Sequence, residues 1–287
     1  MISFFGTGLL GASFVRALRK RGEGVHVWNR TFAKARALET DGARAFDDPA
    51  EAARGATRIH VTLSDDAAVD DVLERARPGI GERATIVDHS TTSPSGALER
   101  HARWRDRGVK FLHAPVFMGP QNALDATGIM LASGEASTFN ALKPALETMT
   151  GRLVFLEGAA DRAASFKLFG NMFLMFLTSG MADVLALGKA VGLEPGDTAK
   201  IFEIFNPAAM VAPRVQRILD DEFDKPSWEL DMARKDARLM LEAAARGGVE
   251  LAVVPAIAHE MDRWIARGHG KDDWTVIAKG ALEKAER

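Results

Sequence analysis

The chain of 287 residues contains no cysteine and no tyrosine. Without cysteine there is no disulfide, no thiolate metal site and no thiol nucleophile, a composition that suits a reducing compartment. Without tyrosine no phenol can donate a proton, which excludes the chemistry of the short-chain dehydrogenases and aldo-keto reductases. Excess charge is lacking too. The 37 Lys and Arg against 39 Asp and Glu leave a net charge of −2, so no nucleic-acid or anionic membrane partner is expected. The seven histidines, at positions 26, 60, 89, 101, 113, 259 and 269, show no H-x-x-x-H or H-E-x-x-H spacing, and no metal site is expected. The longest uncharged apolar run, Leu168 to Ala182, has 15 residues, carries Asn171 and is bounded by Lys167 and Asp183. A membrane span needs roughly 20, so this run is expected to be a buried helix of a cytoplasmic protein. The first residues run into a glycine loop with no basic segment before it, so no signal peptide is expected.

What is present alternates. Short apolar runs at Ile2–Phe5, Val25–Trp28, Arg58–Leu63, Ala84–Asp88, Lys110–His113, Gly128–Ala132 and Leu153–Leu156 read as strands. Amphipathic stretches at Gly11–Arg21, Thr31–Thr40, Asp66–Ala76 and Ser95–Arg107 read as helices between them, which predicts a mostly parallel sheet covered on both faces. After about Gly158 the strand signals stop. Residues 161–192 read as one long helix, followed by Pro195–Phe205, Ala208–Leu219, Trp228–Arg246, Val254–Arg267 and Asp273–Lys284. The expected fold is an α/β N-terminal Rossmann domain over 1–160 and an all-α C-terminal domain over 161–287, joined by the long interdomain helix.

Gly6-Thr7-Gly8-Leu9-Leu10-Gly11 is a G-x-G-x-x-G between the first predicted strand and helix. Gly6 permits the tight turn, Gly8 lets the backbone approach a pyrophosphate, and Gly11 allows close helix–strand packing. The helix N-terminus then offers free N–H groups and its positive dipole end. The second strand ends Val27-Trp28-Asn29-Arg30-Thr31, without the carboxylate that holds an NAD ribose. Asn29, Arg30 and Thr31, helped by Lys34, can instead bind a 2′-phosphate, so NADP(H) is the expected cofactor. Leu63 and Ser64 after the fourth strand, and Thr91 after the fifth, should border the nicotinamide. Ser64, Asp65 and Ser93 serve equally well as helix N-caps.

The combined pattern of Gly6–Gly11, Ser90-Thr91, His113-Ala114-Pro115-Val116, Lys167 with Asn171, and Lys235-Asp236 resembles the β-hydroxyacid dehydrogenases. That group includes 3-hydroxyisobutyrate dehydrogenase and the tartronate semialdehyde and glyoxylate/succinic semialdehyde reductases. The resemblance covers nearly the whole chain and implies that Lys167, supplied by the C-terminal domain, is the general acid and base. Such a role is physically sound, because an ammonium can stabilise and then protonate the alkoxide that hydride transfer builds. A cleft between domains would lower its pKa by desolvation. Asn171, one turn on, faces the same side of the helix, where it can reach the lysine or the substrate oxygen, and Gly170 leaves room for a ligand. The resemblance further implies that Lys235 supports the cofactor and Asp236 the lysine. Trp228 stands where relatives have a phenylalanine walling the substrate pocket, or else belongs to the core or a dimer interface.

The departures bear on substrate. Relatives read Asp-Ala-Pro-Val-Ser-Gly-Gly where this chain has His113-Ala114-Pro115-Val116-Phe117-Met118-Gly119. Phe117 and Met118 replace groups that grip a carboxylate, leaving Gly119 N–H, Gln121, Asn122 or Thr91 for that task and making the pocket more apolar. His113, in place of an acid, is expected to be structural. The leading expectation is an NADPH-dependent reductase of a small aldehyde, ketone or β-hydroxy acid. Imine reductases, relatives with the same two-domain plan and often an Asn-Arg-Thr loop, are the second reading, although they usually lack the lysine. A non-catalytic NADPH-binding protein is the third. A homodimer through the C-terminal helices is expected, with a tetramer as the alternative.

Overall fold

The computed structural model describes residues 1–283. Residues 284–287, which end the predicted C-terminal domain and include the last residue of the final predicted helix, lie outside the described residues. The chain forms two compact units, Met1–Met172 and Phe173–Arg287.

The first unit is built on a nine-stranded sheet. Its strands are β1 (Ile2–Phe5), β2 (Val25–Trp28), β3 (Arg44–Phe46), β4 (Arg58–Val61), β5 (Thr85–Asp88), β6 (Lys110–His113), β7 (Val116–Phe117), β8 (Ile129–Gly134) and β9 (Arg152–Phe155). They lie in the order β3-β2-β1-β4-β5-β6-β8-β7, with β9 beside β8. The strands from β3 to β6 are all parallel, and β8 runs antiparallel to β6 and β7. Helices α1 (Leu9–Lys20), α2 (Phe32–Arg36), α3 (Pro49–Ala53), α4 (Asp66–Ala76), α5 (Pro94–Asp106), α6 (Pro120–Asp125) and α7 (Ala136–Glu147) connect them. Successive strand side chains point to opposite faces. Phe4 therefore enters a core with Phe14, Val27, Leu112 and Met130, while Phe5 enters the other with Trp28, Ile59, Val61 and Trp104. Burial on both faces explains why Ile2–Phe5 reads as an unbroken apolar run. Because β1 lies between β2 and β4, the chain reverses direction across the sheet at β1. The loops leaving β1 and β4 therefore open a crevice at the carboxyl ends of the strands.

A single helix, α8 (Arg162–Ala190), runs from the first unit into the second. The second unit continues with α9 (Pro195–Ala199), α10 (Ile201–Ile204), α11 (Val211–Leu219), α12 (Leu230–Arg246) and α13 (Val254–Ala266). Its core gathers Phe223, Leu230, Met261, Trp264 and Val276. The predicted helix over Pro195–Phe205 is split at Lys200, and Gly196 and Thr198 are weak helix formers. The last predicted helix is a 3-10 segment, Trp274–Ala281, whose N-cap Asp273 is committed to Ser227, Thr275 and Arg217.

One expectation is overturned. The apolar run on α8 is not buried within the chain: Leu174 is 54% exposed, Met175 67% and Phe176 58%. The helix is long and apolar enough to cross a membrane by length and composition. Its polar residues argue otherwise. Asp183 is largely buried and accepts N–H groups from Ala252, Val253 and Val254 at 2.7, 2.8 and 3.1 Å, capping α13. Further along the helix, Gly188 leaves space that Thr198 fills. Toward its C-terminal end α8 is thus a working part of the second unit, whereas residues 172–178 are exposed on every side of the helix.

Candidate active site

The glycine loop is held by close packing that no side chain could share. Gly6 has φ +88°, and a Cβ there would lie 2.1 Å from the Thr62 carbonyl oxygen. A Cβ on Gly11 would lie 2.0 Å from the Gly6 oxygen and 2.5 Å from Thr62 Oγ1, whose hydroxyl donates to Gly6 O at 2.7 Å. Gly8 differs. Among the described residues, nothing beyond its chain neighbours lies within 4 Å of where its Cβ would stand. It is the N-cap of α1 with no side-chain hydrogen bond, and the first turn carries no acidic residue. The N–H groups of that turn therefore face open space with a positive dipole end behind them, an arrangement that fits an anionic pyrophosphate.

Beside the loop lies a cavity of about 240 Å³ walled by Gly8, Trp28, Arg30, Thr31, Lys34 and Arg75. Three cations line it against one carboxylate, Asp71, which Arg75 engages at 3.6 Å. Arg75 offsets Asp71, and the two cations that remain, Arg30 and Lys34, fit a 2′-phosphate. Trp28 is fixed by donating its indole N–H to Asp47 O at 3.0 Å, with Phe5 edge-on at 6.2 Å and the Arg75 guanidinium 5.3 Å from the ring centroid. Asn29 lines the cavity, but both ends of its amide are occupied. Its oxygen accepts from Thr7 N–H and its nitrogen donates to Thr31 O, each at 3.0 Å. Asn29 thereby shapes the loop on which Arg30 stands.

A second cavity of about 300 Å³ adjoins the first and is lined by Leu9, Leu10, Gly11, Leu63, Ser64 and Thr91, with His89 and Ser90. The cap reading holds for two neighbours of this wall: Asp65 caps α4 through Ala68 N–H, and Ser93 caps α5 through Gly96 N–H. Ser64 is not itself a cap: it donates to the capping Asp65 at 2.8 Å and faces the cavity. Behind the wall is a network that the sequence did not announce. Arg100, fully buried, reaches Asp66 at 2.6 Å, Asp70 at 2.9 Å and Asp88 at 3.5 Å. Asp88 accepts Ser90 N–H at 2.9 Å and stands 3.5 Å from His113, which is buried at the end of β6. Burial alone would raise the Asp88 pKa. His113, Arg100 and Ser90 outweigh it, and the carboxyl stays below the ordinary range.

Lys167 and Asn171 lie on the part of α8 that belongs to the first compact unit. Lys167 is 9% exposed, and its Nζ sits 4.2 Å from the centroid of the Phe117 ring. Burial lowers its pKa from the ordinary lysine value. Asn171 is half-buried one turn further on. The Phe117 ring lies against Gly170, and the Met118 side chain lies against Gly128. Gly119 N–H donates to Asn122 Oδ1 at 2.9 Å because α6 begins there and its first N–H groups need partners. Asn122 in turn donates to Thr127, and Gln121 donates to Asp125. Three of the four groups expected to reach a carboxylate are therefore engaged elsewhere, and Thr91 remains.

In the second unit Lys235 and Asp236 pair with one another at 2.7 Å, both partly exposed on α12. Trp228 is 37% exposed and packs on Trp274 at 5.6 Å between centroids.

Residues 1–158 match the family described as the NAD binding domain of 6-phosphogluconate dehydrogenase. Residues 161–282 match the NADPH-dependent reductive aminase-like C-terminal domain. The chain is similar to glyoxylate/succinic semialdehyde reductase 1 of Arabidopsis thaliana, with 27% identity over 286 residues and 96% of each chain covered. Its fold is that of an imine reductase from Myxococcus stipitatus in complex with NADP+, with TM-score 0.89, 20% identity and 97% and 99% of the two chains covered. The same fold occurs in a reductive aminase from Aspergillus terreus in complex with NADPH4, cyclohexanone and allyl amine, with TM-score 0.88, 21% identity and 98% of each chain covered.

Proposed function

The chain belongs to the family described as the NAD binding domain of 6-phosphogluconate dehydrogenase, matched over more than half its length, and on that premise we propose that it is an NADP(H)-dependent reductase of small, largely apolar carbonyl compounds. It is an NAD(P)-dependent oxidoreductase of the hydroxyacid dehydrogenase type. Residues 1–160 form its cofactor domain in this reading, and residues 161–287 its substrate and dimerisation domain. The observation that carries the substrate reading is Lys167, almost fully buried under an aromatic ring, next to a loop whose polar groups are already engaged.

Gly8, Arg30, Lys34 and Thr91 would hold NADPH across the two adjoining cavities, where it would supply a hydride to the carbonyl carbon. The Lys167 ammonium stabilises the charge that builds on the carbonyl oxygen and donates a proton to it, giving the alcohol. The lysine is left as a neutral amine, which water re-protonates. Desolvation eases that proton loss by bringing the lysine pKa down toward neutral pH. Asn171, on the same helix face, holds the lysine or the substrate oxygen in place.

The reductive aminase-like C-terminal domain favours a second reading, reduction of imines. Charge separates the two. A carbonyl needs the ammonium form of Lys167, whereas a protonated iminium is repelled by it and would react better above the lysine pKa. We also read the bare apolar stretch of α8 as the contact of a homodimer, and the cysteine-free composition as that of a protein in the reducing cytoplasm.

The test is NADPH oxidation by the purified protein with glyoxylate, succinic semialdehyde, apolar aldehydes and a cyclic imine, repeated with NADH and with Lys167→Met. The expected result is turnover of apolar carbonyls, faster with NADPH, and a loss of at least about a hundredfold in kcat for Lys167→Met. Undiminished turnover in that variant would remove Lys167 from the chemistry. Tight NADPH binding with silence across the panel would favour a non-catalytic NADPH-binding protein.

A further inference from the structure

The position of Phe117 is more specific than an apolar wall requires. A Cβ built on Gly170 would lie 2.3 Å from Phe117 Cζ and 2.6 Å from Cε1, so the ring edge occupies the notch that this glycine leaves on α8. The ring face then meets the Lys167 ammonium at 4.2 Å, one helical turn back. Ring and lysine are anchored to the same strand. Phe117 is in register with Ile129 where β7 pairs with β8. The start of α8 is tied to Ser133 of β8, whose hydroxyl donates to Ala160 O at 2.6 Å and accepts Ala163 N–H at 3.0 Å. On the lysine's own helix face the neighbours are Ala163, Ala164, Gly170 and Asn171, none of them charged. Among the described residues no carboxylate pairs with Nζ.

We propose that Phe117 is a positioning residue for Lys167, its ring face holding the ammonium and its edge locked into the Gly170 notch. The inference rests on the reading of Lys167 as the proton donor and adds what fixes that donor in place and sets its charge. Two effects oppose each other at the ammonium. The ring quadrupole favours the cation, and the exclusion of water by the same ring favours the neutral amine. An aromatic side chain supplies both effects, an aliphatic one only the second, and a small polar one neither.

This split gives the test. Protein labelled with 13C at the lysine ε-carbons is titrated by NMR without substrate, and the Lys167 signal is identified by its loss in Lys167→Met. Phe117→Leu is expected to lower the titration midpoint by about one pH unit, the equivalent of a desolvated cation–π contact. Phe117→Ser, which admits water, raises it, and Phe117→Tyr leaves it near wild type. Gly170→Ala keeps the ring but displaces it, and lowers the midpoint as Phe117→Leu does. One common midpoint in wild type and all four variants would overturn the proposal. If Lys167→Met still turned over substrate while the midpoints fell in the expected order, the positioning role would stand and the proton-donor reading would fall.

Discussion

The carbonyl oxygen of Ala114 can only accept a hydrogen bond, and that fact fixes two buried histidines. His89 Nδ1 lies 2.7 Å from it and must donate. The neutral His89 ring then accepts at Nε2 from the Nδ1–H of His60, 2.9 Å away. Among the described residues His60 Nε2 has no partner and is buried. Phe4, His60, His89 and Phe14 form one stack with centroid spacings of 5.7, 5.2 and 5.4 Å, and neither imidazole has room for a charge. Burial drives the His89 pKa down to about 4, against the pull of Ala114 and Asp88, and lowers that of His60 as well. The folded state therefore resists a proton that the unfolded chain accepts near pH 6.5. Stability is full above that pH and falls as the pH drops toward 4, by roughly 3 kcal/mol for a single histidine so shifted. Urea denaturation at steps between pH 7 and 4 should show this slope, flatter in His89→Gln; equal slopes would mean that the pair is not held neutral. The stack was not legible in the sequence, because His60 and His89 are 29 residues apart and meet only through the β4–β5 register. The placement of Arg30, Lys34, Ser64 and Thr91 on the two cavities was legible, since each lies beyond the end of a strand that faces the crevice. Trp28 and Arg75 were missed, because Arg75 reads as the ordinary i,i+4 partner of Asp71 until α4 is docked beside β2.

Among the elements, α8 shows most clearly what a pattern can and cannot tell. Its span was readable almost to the residue, 161–192 expected and Arg162–Ala190 found, because no proline interrupts the run and its glycines are isolated among stronger helix formers. Its environment was not readable, since an apolar helix looks the same whether its cover comes from its own chain or from another. Asp183 interrupts that apolarity for a reason supplied by α13, 69 to 71 residues later. Asp183→Ala leaves three N–H groups at the start of α13 without an acceptor. The expected cost is about 2 kcal/mol, visible as a lower urea midpoint at unchanged slope. A midpoint within error of wild type would mean that water replaces the cap. Strands β3 and β7 escaped notice because three residues beginning with Arg44, or the pair Val116–Phe117, carry too little alternation to register. That second omission matters for function, since β7 is what delivers Phe117 to Lys167.

On the scale of the whole molecule, the bare surface is the dominant fact. Beyond α8, Ile204 is 80% exposed and Leu219 61%, and an apolar side chain gains roughly 1.5–3 kcal/mol when fully buried. A second copy of the chain is the occupant that would cover such a surface on every molecule at once. Light scattering should therefore give twice the chain mass for wild type and the chain mass for Met175→Glu with Phe176→Glu. A monomeric wild type would sink the dimer. The lack of tyrosine has an optical consequence here. Near-ultraviolet emission comes from five tryptophans alone, and one of them, Trp28, stands in the wall of the cavity that Arg30 and Lys34 make positive. Reduced nicotinamide absorbs where indole emits, so the protein carries its own gauge of occupancy: a lamp set into the binding wall, dimmed by what it lights.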